Sequence, residues 1–374
     1  MNLRITTITF LSTLLAACGG STGRAGGDAE AGGVAGSDGG AFGGSDGMDG
    51  TGTGGSSAGG EGATGSTGGT EGTSMEVPKF DVEPDSAGGM TPTCDPVDFE
   101  VEPPVPQVGL LLDASGSMNL TTDFEGQSVS QWAAVVYATE DLLNAMSDRV
   151  DFGALYYPDD KTCGVSNVTV PVGPNDAATV LGALPPAMAG LNGATPTLTA
   201  VETMADHLTN VADGRPQAMV LLTDGMPNCS GDEAAVEQAI GAALQTGIPT
   251  YVVGFAIDPT INATLNGWAQ AGGTAKGGLY DFYEAEDGDA LANAFDQIIQ
   301  DAIPCTLTLD DPPTQPEYVE VRVGGTKWPE VADCGGLPGW YWSKPYEEIT
   351  LCGTACDQLK QKGTASVTYA CPAG

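Results

Sequence analysis

The apolar run Val108-Gly-Leu-Leu-Leu112 is followed directly by Asp113-Ala-Ser115-Gly-Ser117. The apolar run predicts a buried strand, and the polar residues after it predict a loop at the carboxyl end of that strand. A carboxylate and two hydroxyls at alternate positions of a tight loop can all point at one hard cation, because Mg²⁺ binds oxygen ligands in near-octahedral geometry. This stretch therefore predicts a strand that ends in a cation site.

Short apolar runs alternate with helix-length amphipathic segments between residues 105 and 303. This alternation is typical of an α/β sheet covered by helices on both faces. We therefore predict a doubly wound α/β domain with a mainly parallel six-stranded sheet. The predicted strands are 108–112, 151–157, 167–172, 218–222, 250–256 and 278–283. The predicted helices are 129–147, 176–184, 196–212, 232–246, 262–271 and 289–303.

Two further oxygen ligands are expected downstream of the first loop. Thr195 precedes a predicted helix in Gly193-Ala-Thr-Pro196, and Asp224 closes a second apolar strand in Val220-Leu-Leu-Thr-Asp-Gly225. Open α/β sheets bind ligands outside the carboxyl ends of their strands, where the strand order reverses. Together, five residues resemble the metal-ion-dependent adhesion site of the von Willebrand factor type A domain family: Asp113, Ser115, Ser117, Thr195 and Asp224.

The resemblance covers residues 105–303 and implies a bound divalent cation, with Mg²⁺ as the first expectation and Mn²⁺ or Ca²⁺ as alternatives. It implies that Ser115 and Ser117 bind the metal directly, and that Thr195 and the two Asp residues bind directly or through water. An open coordination position would accept an Asp or Glu carboxylate from a partner protein. The resemblance therefore implies metal-dependent adhesion or protein binding.

Nearby acids and two other functions have to be weighed against this interpretation. Asp123, Asp159 and Asp160 either add a neighbouring site or are solvated loop acids. One alternative function is a structural or assembly component of the envelope that holds a structural metal ion. The other is a metal-dependent hydrolase, but Ser115 lies in no G-x-S-x-G motif and His207 is the only histidine. We therefore expect no enzymatic activity and no catalytic residues.

The amino terminus predicts export and lipid attachment. Residues 1–18 have a charged start and a short apolar core, as in a signal peptide. Leu15-Ala-Ala-Cys18 resembles a bacterial lipobox, which implies cleavage before Cys18 and acylation of its thiol. Gly19 follows, where an Asp would resemble an inner-membrane retention signal. We therefore expect an outer-membrane lipoprotein of a Gram-negative bacterium, on either face of that membrane; the alternative is an ordinary cleaved signal.

Residues 19–104 are expected to form a disordered tether. The first part is mostly Gly, Ser, Thr, Ala and Asp, and residues 76–107 are richer in Pro. Such a composition contains too few large apolar side chains to offset the entropy lost on folding.

The charge of the chain excludes one class of partner. The sequence has 49 acidic and 12 basic residues among 374, a formal net charge of -37. A surface this acidic repels phosphate backbones, and the sequence has no Lys/Arg cluster to offset the repulsion. We therefore expect no nucleic-acid partner.

The cysteines predict disulfides and a separate C-terminal module at residues 304–374. That segment is rich in Val, Thr, Tyr and Cys, so we expect a small, mainly β, disulfide-braced fold. Its aromatics Trp328, Trp340, Tyr341 and Trp342 are expected to pack rather than to form a carbohydrate platform. Cys163 and Cys229 both follow predicted strand ends and are candidates to pair, while zinc is disfavoured because no C-x-x-C pair occurs. The disulfide candidates are Cys94, Cys163, Cys229, Cys305, Cys334, Cys352, Cys356 and Cys371.

Overall fold

The computed structural model describes residues 95–229 and 231–371. The predicted signal peptide, the lipidation site Cys18, Cys94 and most of the predicted tether lie outside the described residues. Within the described part of the chain, no helix combines the length and the apolar character needed to cross a bilayer.

The described strands belong to four sheets, with six, four, three and two strands. The strands are β1 (Val97–Val101), β2 (Gln107–Asp113), β3 (Thr121–Phe124), β4 (Gln127–Ser130), β5 (Asp151–Tyr157), β6 (Val170–Gly173), β7 (Gln217–Thr223), β8 (Thr250–Phe255), β9 (Tyr283–Ala285), β10 (Thr306–Thr308), β11 (Val319–Val323), β12 (Thr326–Trp328), β13 (Gly339–Lys344), β14 (Glu348–Cys352) and β15 (Ala365–Tyr369).

The helices begin where the sequence offers caps. Ser130, Asp176, Asp232 and Asp287 each accept a hydrogen bond from the backbone N–H three residues later, which satisfies one free donor of the first turn. The α-helices are α1 (Gln131–Met146), α2 (Ala177–Ala183), α3 (Thr197–Val211), α4 (Glu233–Gln245), α5 (Asn262–Ala271), α6 (Gly288–Ala302) and α7 (Thr354–Lys362). The short 3-10 helices are Gly116–Asn119, Pro259–Ile261 and Pro316–Tyr318.

The six-stranded sheet has the order β6-β5-β2-β7-β8-β9, and every pair except β5–β6 is parallel. The chain runs from β2 to β5 on one side and later returns to β7 on the other, so the strand order reverses beside β2. The predicted doubly wound, mainly parallel α/β fold is confirmed. The carboxyl ends of β2 and β7 are therefore neighbours at a position where such sheets bind ligands.

Side chains of β2 alternate between two hydrophobic cores. Leu110 and Leu112 pack in the core that contains α1, α2 and α6, while Leu111 packs in the core under α3, α4 and α5. Gly109 allows α3 to approach the sheet closely, because a Cβ at this position would lie 2.5 Å from Sδ of Met204. The near-continuous apolar run of β2 thus reflects burial on both faces, as is usual for a central parallel strand.

Three parts of the α/β domain differ from the prediction. The strand predicted at 278–283 was wrong, because this segment is mostly loop and the edge strand β9 begins only at Tyr283. The strand predicted at 167–172 lies slightly later, as β6. The hairpin β3–β4 has no counterpart in the prediction; its turn contains Glu125 and Gly126 at positive φ.

The C-terminal segment forms a second fold together with a strand that precedes the α/β domain. We call this unit, made of β1, β10–β15 and α7, the β module. Strand β1 pairs antiparallel with β15 at the edge of the sheet β1-β15-β11-β12. Residues 97–101 were expected to belong to the tether, so the predicted boundary at residue 104 was too late. The composition of this segment indicates an extended linker, but its backbone pairs with β15, which lies far away in the sequence.

Two sheets and α7 enclose the core of the β module. Val321, Val367, Ile349 and Leu359 are fully buried in this core. Trp340 is 2% exposed, so it is a core side chain as expected. Disulfides join Cys305 to Cys356 and Cys334 to Cys352, and Cys371 is also disulfide-bonded. A small core braced by disulfides fits the expectation for a β fold of this size.

Candidate metal site

The residues of the candidate site lie where β2 and β7 end side by side. Asp113 is the last residue of β2 and is fully buried, and Asp224 directly follows the last residue of β7. The two strands are in register up to Leu112 and Leu222. The sheet thus brings together two carboxylates that are far apart in the sequence. We call the set Asp113, Ser115, Ser117, Thr195 and Asp224 the strand-end site.

Hydrogen bonds connect four of these residues. Asp113 Oδ1 accepts from the backbone N–H of Ser115 at 2.9 Å. The hydroxyls of Ser115 and Ser117 share a hydrogen bond at 3.0 Å, and Ser117 Oγ donates to Asp224 Oδ1 at 2.8 Å. The other oxygen of Asp113 accepts from Thr223 Oγ1 at 2.7 Å. The first loop is therefore folded so that its oxygens face the end of β7.

Thr195 belongs to a neighbouring loop that contacts the first one. The backbone N–H of Gly116 donates to the carbonyl oxygen of Gly193 at 3.1 Å. Thr195 is 4% exposed, and its N–H donates to Asn228 Oδ1 at 2.7 Å. Asn228 itself lies in the loop that follows Asp224. The three loops that carry the five predicted ligands thus meet at the carboxyl ends of β2 and β7.

A second amide side chain also joins two of these loops. Asn119 Nδ2 donates to the carbonyl oxygens of Gly116 at 2.7 Å and of Leu191 at 2.8 Å, and its Oδ1 accepts from the N–H of Leu191 at 2.9 Å. Neither Asn119 nor Asn228 belongs to a sequence motif, because single asparagines in loops carry no distinguishing pattern. In the sequence, Thr223 is only the last residue of the apolar run before Asp224, with no sign of its contact with Asp113.

Burial and mutual repulsion make the site electrostatically unfavourable without a cation. Burial, followed by the charge of Asp224, raises the pKa of Asp113 to about 7. Burial also raises the pKa of Asp224 and, together with the charge of Asp113, that of Tyr157. Among the ion pairs of the described residues, none includes Asp113 or Asp224. A cation at this position would supply the missing positive charge.

The donor set fits a hard divalent cation. It consists of two carboxylates and three hydroxyls, and oxygen donors of this kind suit Mg²⁺, Mn²⁺ or Ca²⁺. In the described ranges, no group of three or more His, Cys, Asp or Glu side chains is placed to hold a metal. That finding does not count against the strand-end site, because most of its donors are hydroxyls.

The other acids considered from the sequence have local structural partners. Asp160 Oδ1 accepts from the N–H groups of Gly164 and Thr162, which lower the pKa of this carboxyl. Asp159 Oδ2 accepts from the N–H of Ser166, and Asp123 Oδ1 from that of Gly126. These contacts stabilise turns, as is common for Asp in loops.

His207 accepts a hydrogen bond from the backbone of the edge strand β6. Its Nε2 accepts from the N–H of Val172 at 3.0 Å, and partial burial lowers its pKa. The imidazole is therefore neutral with Nε2 unprotonated, and it links α3 to the β6 edge. This contact gives His207 a structural role in the fold.

One disulfide lies beside the candidate site. Cys163, in the loop after β5, is bonded to Cys229, which follows Asn228. The suggestion that these two cysteines pair is confirmed.

Comparison with known families identifies the α/β domain. The family model of the von Willebrand factor type A domain matches residues 107–297. This match covers half of the chain, and the chain belongs to the von Willebrand factor type A domain family. No protein among the curated sequences matches it.

Several solved structures are similar to parts of this chain at low sequence identity. The pilus adhesin SpaC from Lactobacillus rhamnosus GG is 16% identical with a TM-score of 0.44; the match covers 73% of this chain and 41% of SpaC. The conserved hypothetical protein BatB from Bacteroides thetaiotaomicron is 18% identical with a TM-score of 0.40, covering 53% of this chain and 98% of BatB. The manganese-loaded TRAP protein of Plasmodium vivax is 19% identical with a TM-score of 0.38, covering 55% of this chain and 77% of that one.

Proposed function

We propose that this protein holds a divalent cation at the strand-end site and uses it to capture an acidic group of a partner protein. The proposal is carried by one observation, the hydrogen bonds that link Asp113 to the Ser115 N–H and the Ser115 hydroxyl through Ser117 to Asp224. These residues match the sequence pattern that forms the metal-ion-dependent adhesion site in the family. Mg²⁺ is the expected ion, with Mn²⁺ and Ca²⁺ as substitutes.

The composition of the site favours binding over hydrolysis. Ser115, Ser117 and Thr195 would contribute neutral hydroxyls, so few formal charges of the protein would touch the ion. A bound divalent cation would supply Lewis acidity toward one external carboxylate. With His207 occupied by the backbone N–H of Val172, the chain's only histidine is not placed as a catalytic base. We propose a binding protein without enzymatic activity.

Exposed apolar side chains on the loops that lead to the site residues support a protein partner. Leu120 is 62% exposed and Met188 is 88% exposed. They belong to the two loops that Asn119 joins. A partner that offers an Asp or Glu flanked by apolar residues could cover them, and burial of apolar surface would add to the affinity.

The sequence supports attachment of this function to a membrane. Acylation of Cys18 would anchor the chain, and the Gly-rich segment that follows would separate the binding domain from the lipid surface. We propose an outer-membrane lipoprotein of a Gram-negative bacterium that acts in adhesion or in protein binding at the envelope.

Cation binding can be measured with Mn²⁺ as the probe. Titration of the purified protein followed by electron paramagnetic resonance should show one saturable site that Mg²⁺ displaces. Asp113→Ala and Ser117→Ala should weaken binding by about tenfold or more. Ser128→Ala, an exposed serine of β4, is the matched control and should bind as the wild type does. Equal Mn²⁺ affinity in all three variants would contradict the proposal.

Capture of a carboxylate can be tested on the same Mn²⁺ complex. An open coordination position holds exchangeable water, which enhances the proton relaxation rate of the solvent. A short peptide with a Glu flanked by Leu should displace this water and reduce the enhancement. The same peptide with Gln in place of Glu should have no effect. If both peptides act alike, carboxylate capture is ruled out while cation binding still stands.

A further inference from the structure

Thr195 is held from two sides by backbone and amide hydrogen bonds. On one side, the N–H of the preceding residue, Ala194, donates to the carbonyl oxygen of Thr162 at 2.8 Å. On the other side, Asn228 Oδ1 accepts from the N–H of Thr195 at 2.7 Å. The N–H of Asn228 in turn donates to the carbonyl oxygen of Thr195 at 3.3 Å. The position of the Thr195 hydroxyl therefore depends on the two segments that contain Thr162 and Asn228.

A single covalent bond joins these two segments. Thr162 is followed by Cys163, Asn228 is followed by Cys229, and the two cysteines form a disulfide. The disulfide links positions 66 residues apart, one in the loop after β5 and the other in the loop after β7. The backbone at Ala194 and Thr195 thus lies between two segments that cannot separate while the disulfide is intact.

The segment that contains Cys163 is compact and closely packed against the Thr195 loop. Asp159 N–H donates to the carbonyl oxygen of Gly164 at 2.8 Å, and Asp160 accepts from the N–H of Gly164 at 2.9 Å. Gly193 has φ +117°, and a Cβ there would lie 2.6 Å from Pro158 Cγ and 3.0 Å from the Thr162 carbonyl oxygen. There is no room for a Cβ at Gly193, so the two loops are closely packed at this point.

We propose that the Cys163–Cys229 disulfide positions Thr195 for the cation, so that the strand-end site reaches its full affinity only after the chain has been oxidised. The inference rests on the proposed cation binding and adds its regulation. Without the bond, the loop after Asp224 gains conformational freedom, and the acceptor for the Thr195 N–H is no longer fixed. The reduced chain would then be a poor binder, and export to an oxidising compartment would activate it.

The test compares two pairs of substitutions in the full chain. Cys163→Ala with Cys229→Ala removes the disulfide beside the site. Cys334→Ala with Cys352→Ala removes a disulfide of the β module and serves as the matched control. Amide hydrogen exchange is measured with chelator present, so that the result does not depend on a bound ion. Mn²⁺ affinity is then measured for each protein.

The expected result is specific to the first pair. Loss of Cys163–Cys229 should reduce the protection of the Ala194 and Thr195 amides by about tenfold or more and weaken Mn²⁺ binding by about tenfold. The control pair should leave both quantities unchanged. Asn228→Ala, which keeps the disulfide, should reduce protection of the Thr195 amide, and Asn228→Asp should restore it because an acceptor oxygen is present.

Different failures identify different errors. If the Ala194 and Thr195 amides stay protected without the Cys163–Cys229 bond, the disulfide does not position Thr195, and this inference is wrong. The inference is also wrong if protection is lost but Mn²⁺ affinity does not change. If even the wild type binds no Mn²⁺, the proposed function is wrong, and so is the proposed effect of the disulfide on cation affinity. The amide exchange still shows whether the disulfide holds Thr195 in place. If the cysteine variant no longer unfolds cooperatively, Asn228→Ala is used in its place. The inference is then wrong if Asn228→Ala loses protection of the Thr195 amide but keeps the wild-type Mn²⁺ affinity.

Discussion

Asp113 is the residue at which structure and chemistry of the site are most tightly linked. Its position at the end of a central strand leaves it fully buried, and both of its carboxylate oxygens accept hydrogen bonds. These hydrogen bonds favour the ionised form, but burial and the charge of Asp224 outweigh them and raise the pKa to about 7. A buried carboxyl with this pKa is costly to ionise unless a positive charge is nearby.

This pKa predicts how the stability of the metal-free protein depends on pH. Between its ordinary value of 3.8 and about 7, Asp113 binds more protons in the native state than in the unfolded chain. Its contribution to the free energy of unfolding therefore falls as the pH rises through this window. Urea unfolding in chelator should show this decline in the wild type and a shallower one in Asp113→Asn. Parallel pH profiles for the two proteins would contradict the prediction.

Gly193 gives a second prediction at the scale of one residue. Ala at this position would have to adopt φ +117° and would contact Pro158 and the Thr162 carbonyl. Gly193→Ala should therefore lower the free energy of unfolding by about 1–3 kcal/mol, and it should weaken Mn²⁺ binding through displacement of Thr195. Gly190→Ala is the control, because a Cβ there meets nothing within 4 Å. Urea unfolding and Mn²⁺ titration of both variants provide the measurements, and equal behaviour of the two would count against the argument.

The individual residues of the site could be predicted only where they form a pattern. Asp113, Ser115 and Ser117 share one loop after an obvious strand, so their common direction is visible in the sequence. Asn228 supports Thr195 from 33 residues away, and that contact exists only because the β7 loop folds back over the start of α3. No local spacing encodes such a contact.

The elements themselves were predictable to the extent that local signals fix their ends. Helices α3 to α6 begin and end within one or two residues of the predicted positions, because caps and amphipathic periodicity are local properties. Short edge strands have weaker signals. β9 has three residues and follows a Gly-rich loop, so its position depends on pairing with β8 rather than on its own sequence.

Helix α6 offers a prediction at the scale of an element. Asp287 caps its first turn by accepting from the N–H of Ala290 at 2.8 Å. The helix then buries Leu291, Phe295 and Ile298 against the α1 side of the sheet. Asp287→Ala should lower the free energy of unfolding by about 1 kcal/mol, whereas Asp287→Asn, which keeps an acceptor, should change it much less. Urea unfolding of the two variants tests this, and equal destabilisation would show that the hydrogen bond is not the cause.

At the scale of the whole molecule, the α/β domain is inserted into the β module. Strand β1 lies before the domain, and β10 to β15 lie after it, yet β1 pairs with β15 over five residues. Further contacts join the two parts. Lys360 of α7 lies 4.0 Å from Asp301 of α6, and Asp301 also accepts from Tyr283 Oη at 2.9 Å. The sequence did not indicate this arrangement, because a strand and its partner separated by an entire domain leave no local pattern.

The inserted arrangement predicts that the β module folds without the α/β domain, provided that β1 is present. A chain in which residues 95–104 are joined to 304–370 by a short Gly/Ser linker should unfold cooperatively in urea and form the Cys305–Cys356 and Cys334–Cys352 bonds. The same chain without residues 95–104 should lose this cooperativity, because β15 then exposes an unpaired edge and Val101 no longer covers the core. Disulfide mapping and circular dichroism distinguish the outcomes. If both chains fold equally well, β1 is dispensable, and the module would be the C-terminal segment alone.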